Sequence, residues 1–286
     1  MNKIVILIHC RDQKGIIASV TNYIASIGGN IIYLDQHVDS DQDVFFMRLE
    51  CEFEFDKDHF NLDDIKENFQ KHLANPFSMS WSIHQQENKP KMAIFVSKYD
   101  HCLYDILSRY STGELHVEIP LIISNHNDLS SVAKRFSIPF HYIPFTKENK
   151  EAGEKAQIEI LKKHQIDFIV LARYMQIITT NLIELYKNKI INIHHSFLPA
   201  FPGAKPYHSA FNRGVKIIGA TSHYVTEELD EGPIIEQDIT RVTHSHSIED
   251  FIMKGKDLER MVLARAIKLH AERKTMVYNN KTVVFA

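Results

Sequence analysis

"KIINIHHSFLPAFPG", Lys189 to Gly203, runs from an apolar stretch straight into an amide, two imidazoles and a hydroxyl before Pro199 and Pro202 break it. An apolar run that closes on polar groups and prolines predicts a buried strand whose carboxyl end opens into a loop. In open α/β sheets ligands bind just outside such strand ends, so the stretch argues both for a sheet of that class and for a site beside it. With 17 histidines in the chain, an adjacent pair by chance is the plainer reading. A second stretch weighs against chance. "GATSHYVTEELDEGPIIEQDI", Gly219 to Ile239, alternates apolar residues around His223, then carries a carboxylate cluster that includes Asp230 and a Gly-Pro turn.

Working outward, apolar runs alternate with helical spacing from Met92 on: "MAIFVS", "LYDILSRY", "EIPLIIS", "LSSVAKRF", "FHYIPF", "EAGEKAQIEILKKH", "DFIVLAR" and "NLIELYKN" lead into the opening stretch. This order predicts a mainly parallel sheet covered on both faces. A hairpin over Gly219 to Val242 and a long helix over about Ile248 to Ala271 follow. Upstream, "KIVILIHC", "GIIASVTNYIASI", "NIIYLDQHV", "DVFFMRLECEF", "LDDIKENFQKHL" and "FSMSWSIH" read β-α-β-β-α-β, the ferredoxin-like unit. Between the two patterns "QQENKPK", Gln85 to Lys91, has a proline and no apolar period and reads as a linker. The expectation is two α/β domains, residues 1–85 and 91–286.

With 44% apolar content and a net charge of -3, the chain can bury one large core or two moderate ones. Near-neutral charge with no Lys/Arg cluster argues against a nucleic-acid or membrane surface, and the longest apolar runs are too short to span a bilayer or serve as a signal peptide. The expected setting is the cytoplasm. Cys10, Cys51 and Cys102 are scattered without CxxC spacing, which predicts reduced thiols rather than disulfides or a structural zinc site.

Asn192-Ile193-His194 followed by Ser196-Phe197-Leu198-Pro199, with "HYVTEELDEGPII" some thirty residues on, resembles the signature of the 10-formyltetrahydrofolate-dependent formyltransferases. "RDQKGIIASVTNYIASIGGNI" is similar to an ACT domain, a ferredoxin-like module that often binds amino acids and dimerises. The two in tandem resemble the formyltetrahydrofolate deformylase family. The resemblance implies a regulatory ACT-like domain before a Rossmann-like formyltransferase domain. It implies hydrolysis of a formamide C–N bond, 10-formyltetrahydrofolate giving formate and tetrahydrofolate, with the formate serving purine synthesis and the balance of the one-carbon pool. Neither metal nor cofactor is implied. A homo-oligomer, dimer or tetramer, and a glycine or methionine effector are. His195 stands where the transferases carry proline, and "SKYDHCLYDIL", Ser97 to Leu107, has no glycine where glycinamide ribonucleotide transferases carry a phosphate-binding loop.

Attack on a formamide passes through a tetrahedral oxyanion and expels an amine that needs a proton. Asn192 can donate to the oxyanion. His194, two residues along a strand and so on the same face, can partner the oxyanion or protonate N10. Asp230 is the candidate base or water-holding group, paired with His194 so that their titrations couple, and His223 would order the water or Asp230. Strand alternation turns His195 to the opposite face. The folate is expected on "LARYMQII" and "VTEELDEG", giving Arg173, Tyr174, Met175, Gln176, Ile177, Val225, Glu228 and Leu229 as binding residues; Met175 and Ile177 fit a plain core equally well. Arg173 or Arg213 could meet the glutamate tail. Three rivals stand beside this reading: a zinc hydrolase using His194, His195, His223, Asp230, His244 and His246; a formyltransferase to an amine acceptor; and a non-catalytic amino-acid or folate sensor.

Overall fold

The computed structural model describes residues 2–54, 61–145, 149–200 and 206–285. The chain forms two compact units: one runs through Lys89 and is joined by Glu272–Met276, the other is Pro90–Ala271 with Val277–Val284.

In the first unit β1 (Asn2–Arg11) is followed by α1 (Ile16–Ser26), β2 (Gly29–Asp39), β3 (Val44–Phe53), α2 (Leu62–Phe69), a π turn at Gln70–Ala74, the single turn α3 (Asn75–Phe77) and β4 (Ser80–Gln85). The order β2-β3-β1-β4 is antiparallel throughout, the β-α-β-β-α-β arrangement that the alternation predicts. Ile4, Ile6 and Ile8, two apart on β1, share a core with Ile16, Val20 and Ile24, four apart on α1. Each such side chain contributes about 1.5–3 kcal/mol on burial. Arg48, on the opposite face of β3 from that core, is also buried, and its guanidinium donates to the backbone oxygens of Glu272 and Arg273 at 3.0 and 2.9 Å and to Glu50.

The second unit holds β5 (Lys91–Val96), α4 (His101–Ser111), β6 (Glu118–Ser124), α5 (Ser130–Arg135), β7 (Phe140–Tyr142), α6 (Lys150–Lys163), β8 (Phe168–Ala172), α7 (Thr180–Leu185), β9 (Ile190–His194), α8 (Pro206–Arg213), β10 (Ile217–Tyr224), β11 (Ile234–Arg241) and α9 (Ile248–Ala271), and a ribbon of β12 (Thr275–Tyr278) and β13 (Lys281–Val284) follows. Seven strands form one sheet in the order β11-β10-β9-β8-β5-β6-β7. Strands β5 to β9 pair in parallel, and β10 and β11 add antiparallel. Both faces are covered: Met92, Ile94 and Val96 point into one core and Ala93 and Phe95 into the other. Continuous apolar runs are what such doubly covered strands require. Short α8 and the β12–β13 ribbon have no counterpart in the sequence reading, and "FHYIPF" keeps only three strand residues.

Candidate active site

The opening stretch is strand β9 up to His194, and the loop begins at His195. β10 runs antiparallel beside it with Asn192 opposite His223 and His194 opposite Thr221. That register sets the first contact: the Asn192 amide lies 3.2 Å from His223 Nε2, while His223 Nδ1 lies 2.9 Å from the Tyr224 carbonyl. A carbonyl can only accept, so Nδ1 carries the proton and Nε2 accepts from Asn192 in the neutral imidazole. Beyond β10 the chain turns back with Asp230 at φ 60, a left-handed conformation that Asp tolerates better than most residues. Its carboxylate meets both histidines, with His194 Nδ1 at 3.2 Å from Oδ2 and His223 Nε2 at 3.6 Å from Oδ1. The hydrogen bond from His194, first, and the neighbouring His223 imidazole outweigh the burial that opposes them and hold the Asp230 carboxyl well below the ordinary range. His194 Nε2 is buried without a protein partner.

These groups line a cavity of about 400 Å3 together with Arg173, Tyr174, Met175, Gln176, Ile177, Val225, Glu228 and Leu229. Apart from Arg213, every residue singled out from the sequence as catalytic or folate-binding therefore lines one cavity. Met175, Ile177 and Leu229 are 48%, 64% and 67% exposed, so they form an apolar rim and not a core. The loop after β8 is anchored from three sides: the Met175 N–H donates to Ser97 Oγ at 2.9 Å, Gln157 donates to the Tyr174 hydroxyl at 3.0 Å, and Glu154 accepts from the Thr179 N–H at 3.2 Å. Ser97 in turn donates to Asn125 at 2.7 Å.

Three expectations change. His195 does not face away: the strand has ended, alternation no longer applies, and its ring lies 5.1 Å from that of His194 and 5.9 Å from that of Tyr207. Arg173 is buried at φ 62 with Nε 3.4 Å from Glu259, and Arg213 is exposed at the end of α8 without lining the cavity. His244 and His246 also lie outside the cavity lining, and His246 Nδ1 accepts from the Thr243 N–H in a local turn. The loop prolines differ in turn: Pro199 follows a cis peptide bond, whereas Pro202 and Gly203 lie outside the described residues.

A cluster that the sequence reading missed adjoins the site. Glu259 on α9, 1% exposed, takes His101 Nε2 at 2.8 Å and the Tyr207 hydroxyl at 2.6 Å as well as Arg173. Burial raises its carboxyl, yet the His101 hydrogen bond and the Arg173 charge prevail and leave it below the ordinary value. Gly255, four residues earlier, leaves room for the Tyr207 ring, which a Cβ there would overlap. Among the described residues His101, Cys102 and Glu259 are also the group spaced to hold a metal, but Glu259 already neutralises Arg173. A signal existed: Phe251, Gly255, Leu258, Glu259, Val262 and Leu263 all lie on the buried stripe of α9, where a carboxylate is out of place.

Residues 90–267 match the formyl transferase family model and residues 4–73 the ACT domain model. The formyltetrahydrofolate deformylase of Synechocystis sp. is 53% identical over 283 residues, 98% of each chain. That of Bacillus subtilis is 45% identical, over 98% of this chain and 93% of its own. The crystal structure of a formyltetrahydrofolate deformylase from Pseudomonas syringae pv. tomato superposes with a TM-score of 0.96 at 45% identity, covering 100% of this chain and 95% of that one. Glycinamide ribonucleotide transformylase 1 from Symbiobacterium toebii gives 0.67 at 27% identity and covers 71% of this chain and 97% of that one. With both of its units matched and relatives of this similarity along its whole length, the chain belongs to the formyltetrahydrofolate deformylase family.

Proposed function

We propose that the protein hydrolyses 10-formyltetrahydrofolate to formate and tetrahydrofolate. The observation that carries this reading is the Asp230–His194 pair at 3.2 Å, with His194 Nε2 unpartnered in a cavity with an apolar rim, in a chain whose relatives are named deformylases over their full length. The pterin lies along Tyr174–Ile177 and against Val225, Glu228 and Leu229. Asn192 gives one amide hydrogen to His223 and turns the other to the formyl oxygen, where a single donor of this kind is worth about 10² to 10³ in rate. Water adds to the formyl carbon as the Asp230–His194 pair takes its proton. Because the Asp230 carboxyl is held low, that proton rests on the imidazole side of the pair. It is returned to N10 as the C–N bond breaks, giving tetrahydrofolate, formate and one proton released to solvent. These groups suffice with water as acceptor, so the reading assigns no metal or redox cofactor.

The domain roles follow: residues 1–85 are regulatory, with a small amino acid, glycine or methionine, as effector in a homo-oligomer, and residues 91–286 are catalytic. Support for the first is the ACT match over residues 4–73. The reaction is placed in the cytoplasm, in keeping with three buried free cysteines; no helix among the described residues is long and apolar enough to cross a membrane.

The test is purified protein with 10-formyltetrahydrofolate and no other acceptor, following formate and tetrahydrofolate together. Equal amounts of both are expected. Asp230→Asn is expected to lower kcat by at least about 10² with KM little changed. No formate from 10-formyltetrahydrofolate alone, with a formylated amine formed once an amine is added, would return the protein to the transferases.

A further inference from the structure

The Arg173–Glu259–His101 cluster divides two cavities. Arg173 lines the catalytic cavity, about 400 Å3, and His101 lines a second, more open one of about 380 Å3 bordered by Lys256, Asp257 and Arg260. Two nitrogens converge on the same atom: Glu259 Oε2 is 2.8 Å from His101 Nε2 and 3.4 Å from Arg173 Nε. One carboxylate oxygen and its two partners thus form the wall. Around it, Tyr207 donates to Oε1 and sets its ring edge-on to His195, while the Tyr99 ring lies 4.8 Å from the Arg173 guanidinium.

This wall is expensive as a piece of packing. A buried ion pair seldom outperforms apolar side chains of the same volume, and Arg173 adds a left-handed backbone at φ 62. The second cavity, by contrast, is balanced at its mouth, with Arg260 paired to Asp257. Arg173 thus faces the catalytic cavity and His101 the second one, with Glu259 buried between them. Water passes such a wall's confines easily, whereas an amine carried on a larger body needs room beside the formyl group.

We propose that the Arg173–Glu259–His101 wall determines acceptor specificity, ending the catalytic cavity where water fits and an amine-bearing acceptor does not. The inference rests on the hydrolase reading and deepens it: specificity is obtained by excluding the competing nucleophile as well as by activating water. Its prediction is steric. A wall rebuilt from apolar side chains of similar length should still exclude amines, and a wall cut back to alanine should not.

The experiment measures how the formyl group partitions between water and glycinamide, a primary amine without phosphate, using 10-formyltetrahydrofolate labelled in the formyl carbon. Wild type is expected to give formate alone across a series from hydroxylamine to glycinamide, apart from leakage to hydroxylamine, the smallest member. Arg173→Ala/Glu259→Ala removes one charge of each sign and is expected to raise the formylglycinamide fraction at least about tenfold. Arg173→Met/Glu259→Met, which refills the space, is expected to restore formate as the product. An alanine pair that folds, turns over and still yields formate alone would overturn the proposal, and so would a wild type that formylates glycinamide freely. The wild-type series decides even if the alanine pair does not fold. Wild type that releases no formate from folate alone would sink the hydrolase reading instead, which keeps the two failures apart.

Discussion

Gly232→Ala touches no reacting group, yet it should disable the site. A Cβ at position 232 would fall inside the van der Waals shell of the Tyr224 carbonyl oxygen, 2.9 Å from its carbon and 3.3 Å from Thr226 Cγ2. The obstruction is backbone and cannot swing aside, so the turn or the end of β10 must yield by on the order of 1 Å. Two site groups hang on that neck. The Tyr224 oxygen accepts from His223 Nδ1 at 2.9 Å, which sets Asn192, and Asp230 stands two residues before the glycine. A misplacement of about 1 Å costs about 10² in rate, or roughly 2.7 kcal/mol of transition-state stabilisation. Overpacking costs about 1–3 kcal/mol of stability, a melting shift of only about 2–12 °C for a unit of this size. The assay is kcat/KM for formate release well below the melting point. Gly214→Ala is the control: its φ of 70 strains any side chain, but nothing lies within 4 Å of its Cβ and it is not part of the cavity. Gly232→Ala should fall about 10² below Gly214→Ala. A value within about threefold of wild type would refute the view that the Tyr224–Asp230 turn positions the chemistry.

Ser97→Ala removes the acceptor of the Met175 N–H and should leave that donor unsatisfied, at about 1–3 kcal/mol; KM is expected to rise about 5- to 10-fold with kcat within twofold, and an equal fall in kcat would mean that the loop does more than bind. In acid, the Asp230 carboxyl, lowered from 3.8 by its histidines, contributes stability that is fully present above the unfolded value and lost as pH falls through the folded one. The urea midpoints of wild type and Asp230→Asn should therefore lie furthest apart above about pH 5 and draw steadily closer as pH falls below about 4; a gap that did not narrow in acid would contradict the pairing. Arg48→Leu should cost about 2–4 kcal/mol in the urea unfolding of the whole chain, since a buried guanidinium with charge-assisted bonds to Glu50 and to the Glu272 and Arg273 oxygens is lost.

Periodicity made most of the architecture legible. The continuous apolar runs of "KIVILIHC", β5 and β8 each mark a strand buried on both faces, and α9 was bounded from its apolar stripe alone. Alternation also placed Asn192 and His194 on one face, and the structure opposes Asn192 to His223 across the β9–β10 register. What the sequence hid is contact between residues far apart in the chain. His101 and Glu259 are separated by 158 positions and meet only because α4 and α9 pack together. Period two misled at His195 for a physical reason: the rule belongs to the pleat, and the pleat stops one residue earlier.

That stop accounts for the paired imidazoles. While β9 is extended, His194 is held on the face of Asn192 and reaches Asp230. The first loop residue is free of the pleat, and His195 turns its ring toward Tyr207, whose hydroxyl is committed to Glu259. Two adjacent histidines thus reach two different carboxylates, one directly and one through a phenol. In the reading proposed here the first pair moves protons and the second holds the wall that selects water. The two tasks place opposite demands on their carboxylates: Asp230 has a side chain 21% exposed and faces the reacting water, while Glu259 must stay dry and fully partnered. Splitting them between neighbouring histidines lets one strand end serve both, and it makes the effects separable. Changes at Asp230 should alter rate without altering the product, whereas changes at Glu259 should alter the product while formate release continues.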